Sequence, residues 1–111
     1  MVIGIDIGGS TTKIVGFRDG RIIQPLIVKA NDPVASAFGA LGKFINENKV
    51  PVSSLEHIAV TGVGSNAIES DLFGVPVSKV DEFLAIGLGG LYLSELKRAI
   101  VVSMGTGTAL V

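Results

Sequence analysis

Cysteine is absent from this chain of 111 residues, and so is tryptophan. The chain therefore offers no disulfide, no thiolate metal site and no iron–sulfur ligand, which fits a cytosolic setting. Aromatics are scarce, five Phe and one Tyr, so aliphatic packing must dominate the core. The one histidine, His57, precedes a buried strand and reads as a surface or strand-edge residue rather than a catalytic one. No block of Lys or Arg stands out. Nine basic residues against ten acidic ones give a net charge of −1, which argues against nucleic-acid binding through a basic footprint. Met1-Val2-Ile3-Gly4-Ile5-Asp6 lacks a basic leader and meets an acid at once, so no signal peptide is expected. The apolar stretch 83–94 lies between Glu82 and Glu95 and is shorter than the roughly 18 residues a membrane helix needs. The expectation is a cytoplasmic protein without membrane contact.

What is plentiful is aliphatic sequence and glycine: 48% of residues are hydrophobic and 15 are Gly, clustered rather than periodic. Residues 2–7 read as a buried strand, 12–17 as a second, Asp19-Gly20 as a tight hairpin turn and 21–29 as a third strand. Asp32 and Pro33 suit the start of a helix whose Val34, Ala37, Phe38, Leu41, Phe44 and Ile45 share one face. A short buried strand, 57–61, leads through Thr61-Gly62-Val63-Gly64-Ser65 into an expected short helix over 66–73 and a brief strand over 77–80. Residues 81–97 read as a second long helix. Gly87, Gly89 and Gly90 weaken it by roughly 0.8–1 kcal/mol each, which implies a close packing partner or a ligand. A last buried strand, 98–103, runs into a turn at Gly105-Thr106-Gly107. The order predicts one α/β domain: a mixed sheet with an antiparallel three-strand meander, then parallel strands and crossover helices.

Three segments carry chemistry. Asp6 ends an apolar strand, where a carboxylate is costly to desolvate unless paired or near a cation. Gly8-Gly9 allow a tight turn with positive φ and exposed N–H groups. Ser10, Thr11 and Thr12 add hydroxyls, and Lys13 adds a compact positive charge. These parts suit a polyphosphate with Mg²⁺, although a plain glycine hairpin is equally open from the residues alone. Ser103-Met104-Gly105-Thr106-Gly107-Thr108 is a strand running into Gly-x-Gly, by itself a second hairpin. Asp81 and Glu82 precede the glycine-rich helix. They read either as an N-cap pair or as a cap with a general base. Gly62 and Gly64 shape a loop that lines a cleft or offers N–H groups to an anion.

Gly4-Ile5-Asp6-Ile7-Gly8-Gly9-Ser10-Thr11-Thr12-Lys13 resembles the first phosphate motif of the superfamily of actin, sugar and acetate kinases and heat-shock chaperones. That superfamily's amino-terminal lobe is a ribonuclease-H-like sheet opening with a meander. Gly105-Thr106-Gly107 resembles the second phosphate loop of one subfamily, the type II pantothenate kinases, though the acid that usually opens this loop is missing. Lys79-Val80-Asp81-Glu82-Phe83, with Gly89-Gly90-Leu91-Tyr92, resembles the segment bearing their catalytic glutamate. The resemblance implies phosphorylation of pantothenate to 4'-phosphopantothenate by MgATP, the first step of coenzyme A synthesis. Glu82 would be the base, with Asp81 as the fallback. Gly8, Gly9, Ser10, Thr11, Thr12, Lys13, Gly105, Thr106 and Gly107 would hold the ATP phosphates. Asp6 would meet Mg²⁺ through water, and Gly62 and Gly64 would line the substrate side. It also implies a homodimer in the full-length protein. Residues 1–111 would be the amino-terminal lobe of a two-lobe kinase, cut at or just after the start of the second lobe and inactive alone. The first motif also resembles ATPase activators of 2-hydroxyacyl-CoA dehydratases. Those proteins carry cluster-ligating cysteines and an Asp-Ile-Gly-Gly-Gln-Asp-type second loop, neither of which occurs here. That activator, or a non-catalytic lobe fragment, is the alternative.

Overall fold

A computed structural model describes residues 1–29, 31–105 and 107–111. The chain divides into two units, Met1–Lys79 and Val80–Val111, each described by itself. In the first, β1 (Val2–Ile7), β2 (Thr11–Arg18) and β3 (Arg21–Lys29) form the expected antiparallel meander. Helix α1 (Pro33–Asn48) then returns the chain to β4 (His57–Thr61), which lies parallel to β1. β5 (Val77–Lys79) lies parallel to β4. The sheet order is β3-β2-β1-β4-β5.

Local chemistry explains these elements. Asp19 and Gly20 have φ of 54° and 74°, the pair of left-handed residues that a two-residue hairpin turn requires. Asp32 caps α1 by accepting a 2.9 Å hydrogen bond from the Ala35 N–H, and Pro33 opens the first turn. Ile3, Ile5, Ile7, Ile14, Ile58 and Val60 point to one sheet face and bury against Ala37, Ala40, Leu41 and Phe44 of α1. Burying each large side chain of this set stabilises the fold by roughly 1.5–3 kcal/mol. Gly16 makes room for the ring of Phe44: a Cβ there would lie 2.6 Å from Phe44 Cζ.

Strand β3 is an outer edge. Its pairing with β2 slips between Ile14 and Gly16, whose partners are Leu26 and Ile23. The intervening residues are Gln24, at a φ of 23°, and Pro25, which has no N–H to offer. This is a β-bulge on an edge strand.

Two expectations are corrected. Residues 66–73 do not form a helix. The chain makes a 3₁₀ turn over Val63–Ala67, and later a tight reversal in which Leu72 and Val75 exchange backbone hydrogen bonds of 2.9 and 3.2 Å. Phe73 and Gly74, with φ of 51° and 78°, form its corner, a conformation no right-handed helix contains. The expected buried strand over 98–103 is instead the short β6 (Val102–Met104), paired with β7 (Thr108–Leu110), and Ile100 beside it is 77% exposed.

In this second unit α2 spans Glu82–Ser94, shorter than expected, because Glu95 turns left-handed at a φ of 60° and returns its N–H to the Leu91 carbonyl. Two of its glycines have a packing reason. A Cβ on Gly87 would lie 2.9 Å from Val111 Cγ1, and one on Gly90 would lie 2.5 Å from Val101 Cγ2. No helix among the described residues is long and apolar enough to cross a membrane.

Candidate functional site

Strand alternation places Asp6 on the sheet face opposite α1, between the buried Ile5 and Ile7. Register then selects its neighbours: Lys13 faces it from β2 and Thr61 from β4. Lys13 Nζ stands 3.5 Å from Asp6 Oδ2, with the two side chains 54% and 38% exposed. An ion pair this open to water is worth at most about 1 kcal/mol and exchanges readily for another partner. Thr61 Oγ1 is buried without a hydrogen-bond partner.

The end of β4 is fitted around the same carboxylate. Gly62 has a φ of 91°, and a Cβ on it would lie 2.5 Å from both Asp6 Oδ1 and the Ile7 carbonyl oxygen. A Cβ on Gly64 would strike the Ile7 side chain and come within 3.1 Å of Pro33 Cβ. Ser65 closes the loop by donating from Oγ to the Gly62 carbonyl at 2.7 Å. Gly62 therefore borders Asp6, while Gly64 seats the loop on β1 and α1.

The β1–β2 turn departs from the expected geometry, since neither Gly8 nor Gly9 has positive φ. Gly8 is needed for space: its N–H donates to the Thr11 carbonyl at 3.0 Å, and a Cβ on it would stand 2.8 Å from that oxygen. Gly9 differs. A Cβ there would meet nothing within 4 Å, and its N–H donates to no described residue. Ser10 follows, and Thr11 shares the face of Lys13.

Thr12 does not join this group. It pairs with Ile7, is fully buried on the α1 face and leaves its Oγ1 unpartnered. The expectation that it meets phosphate is corrected by strand alternation, which sends Thr12 inward whenever Lys13 points outward. Valine has the same shape without the hydroxyl. Thr12→Val is expected to raise stability by about 1 kcal/mol, read from the urea midpoint of unfolding.

In the second unit, Asp81 caps α2 by accepting from the Leu84 N–H at 3.0 Å. Glu82, the first helical residue, is exposed and takes no part in that cap. Gly105 and Gly107 turn β6 into β7 through a 2.8 Å hydrogen bond from the Gly105 N–H to the Gly107 carbonyl. Thr106 lies outside the described residues. The first unit thus gathers Asp6, Gly9, Thr11, Lys13 and Gly62 at one end of the sheet. Glu82, Gly105 and Gly107 belong to the second unit. Sequence reasoning overlooked Thr61 as a side chain, because its place beside Asp6 follows from the β1–β4 register alone.

The residues present suit hydrated Mg²⁺. That ion takes one or two carboxylates, keeps several waters and draws further oxygens from phosphate. Asp6 supplies the carboxylate, and the orphaned Thr61 hydroxyl adds a polar atom on the same face. Among the described residues no group of three or more His, Cys, Asp or Glu could form an all-protein cage.

No family profile matches the sequence. No curated protein matches it either. Solved structures do. The Acidaminococcus fermentans (R)-2-hydroxyglutaryl-CoA dehydratase component A is 18% identical with a TM-score of 0.76, covering 91% of this chain and 38% of that one. The activator of the 2-hydroxyisocaproyl-CoA dehydratase from Clostridium difficile, solved with bound ADPNP, is 17% identical with a TM-score of 0.69. It covers 82% of this chain and 32% of that one. YeaZ from Pseudomonas aeruginosa is 11% identical with a TM-score of 0.60, covering 95% and 55%. The chain spans less than two thirds of each of these proteins. At such identities the likeness is one of fold alone: a mixed sheet that opens with an antiparallel meander and continues with parallel strands.

Proposed function

We propose that this chain is the phosphate-binding lobe of an ATP-dependent enzyme with the actin-like fold. The carrying observation is the exposed Asp6–Lys13 pair beside a glycine turn whose Gly9 N–H has no described partner. A nucleotide phosphate would take Lys13 from Asp6 in a charge-assisted contact and accept from the Gly9 N–H. Asp6 would then face the hydrated metal. Mg²⁺, when bound with the nucleotide, neutralises phosphate charge. Asp6→Asn is expected to weaken Mg²⁺-dependent ATP binding about 10–100-fold, measured by calorimetry of the intact protein. Unchanged binding would overturn the assignment.

Two finer readings follow. The likeness to solved dehydratase activators favours an ATPase that serves a 2-hydroxyacyl-CoA dehydratase. The 111 residues hold no cysteine, so any cluster ligand of such a protein would lie outside them. The sequence motifs favour a pantothenate kinase, in which Glu82, which takes no part in the Asp81 cap of α2, would be the base. Incubation of the intact protein with MgATP and pantothenate, beside a sugar panel and an iron assay, separates them. Phosphorylated pantothenate supports the kinase. Bound iron, with ATP hydrolysis and no small acceptor, supports the activator. Absence of MgATP binding overturns both.

A further inference from the structure

We infer that Thr61 is a positioning residue whose hydroxyl holds the Asp6 carboxylate once Lys13 has left it for a phosphate; this rests on the nucleotide reading above. A hydroxyl buried without a partner is destabilising, and such groups in folded proteins call for a reason. Thr61 Oγ1 is such a group, and so is Thr12 Oγ1 on the opposite face; of the two, only Thr61 has a carboxylate beside it in the register. A strand end built for stability alone would carry valine, which matches threonine in shape and also favours β structure. The reason lies in the register, which pairs Thr61 with Asp6 on adjacent parallel strands, so that their side chains share one face.

The carboxylate is confined on both sides. Lys13 Nζ sits at 3.5 Å from Oδ2, while Oδ1 lies where a side chain on Gly62 would have to go. On the β4 side, Gly62 offers no side chain, so Thr61 is the donor closest in register. A threonine O–H rotates freely and suits a carboxylate acceptor. While Lys13 neutralises Asp6 the hydroxyl has no task, and its lack of a partner follows. When a phosphate takes Lys13, Asp6 loses its cationic neighbour. Thr61 then donates to it and keeps the carboxylate aimed toward the nucleotide's metal.

Two substitutions test this: Thr61→Val removes the hydroxyl and keeps the shape, and Thr61→Ser keeps the hydroxyl. Urea unfolding of the ligand-free protein should find the valine variant no less stable than wild type. In titrations of ATP at varied Mg²⁺, the valine variant should need about three- to tenfold more metal for half-maximal binding, with wild-type behaviour restored by serine. Binding of ATP without Mg²⁺ should be unchanged in both. A valine variant with wild-type metal dependence overturns the inference, as does a destabilised one that serine does not restore. A wild-type protein that binds no MgATP overturns the nucleotide reading itself and takes this inference with it.

Discussion

Gly62→Ala is expected to lower stability by roughly 2–6 kcal/mol, read as a large fall in the urea midpoint. Two costs combine. Alanine at a φ of 91° is strained by about 1–3 kcal/mol, and its Cβ would also press at 2.5 Å on Asp6 Oδ1 and the Ile7 carbonyl oxygen. The carboxylate, partly exposed and weakly paired, can yield, but the Ile7 carbonyl belongs to a central strand and cannot withdraw easily. Against a total stability of about 5–15 kcal/mol, such a loss leaves much of the population unfolded or the β1–β4 junction displaced. Gly9→Ala is the matched comparison. Its Cβ would meet nothing, so stability should change by less than about 1 kcal/mol. A fall in ATP affinity with stability intact would mark Gly9 as the place where phosphate approaches the backbone.

Under the kinase reading, Glu82→Gln should reduce turnover of pantothenate by about 10²–10⁴-fold with little change in stability. Glutamine keeps the shape and cannot accept the proton of the attacking hydroxyl. Asp81→Ala should do the reverse. It removes the acceptor of the 3.0 Å bond from the Leu84 N–H, costs about 1 kcal/mol of stability and leaves the base in place. If Asp81→Ala instead abolished turnover while Glu82→Gln did not, the two acids would exchange roles. Steady-state kinetics and urea unfolding of the same two variants decide the matter.

The sequence announced elements whose causes are local. Asp19-Gly20 implies its own turn, Asp32-Pro33 implies the start of α1, and Ala37, Leu41 and Phe44 recur at helical spacing. Each of these expectations agrees with the structure. Contacts between distant residues were less readable. That Gly62 abuts Asp6 depends on β1 and β4 pairing in parallel across α1, and no local pattern encodes that register. Thr12 was a different kind of miss. Period-two alternation with the buried Ile14 already implied that Thr12 points inward, but the run of hydroxyls after two glycines invited a single role for all of them. The expected helix over 66–73 failed because the chain leaves the 3₁₀ turn at Ile68 in an extended conformation, φ −87° and ψ 107°, and the left-handed Phe73 and Gly74 then reverse it. In the second unit, hydrophobic composition suggested a buried strand at 98–103. Composition reports what a segment would bury, not whether a partner is there to cover it.

The irregularity at Gln24 and Pro25 has a colloidal consequence. With a net charge of −1, two copies of this chain barely repel one another. A straight nine-residue outer strand would then be an open template on which copies could add, edge to edge, toward a fibril. The kinked backbone interrupts the row of free amides, and the proline deletes one of them. At the β3 edge, therefore, backbone shape opposes edge-to-edge addition where electrostatic repulsion is nearly nil.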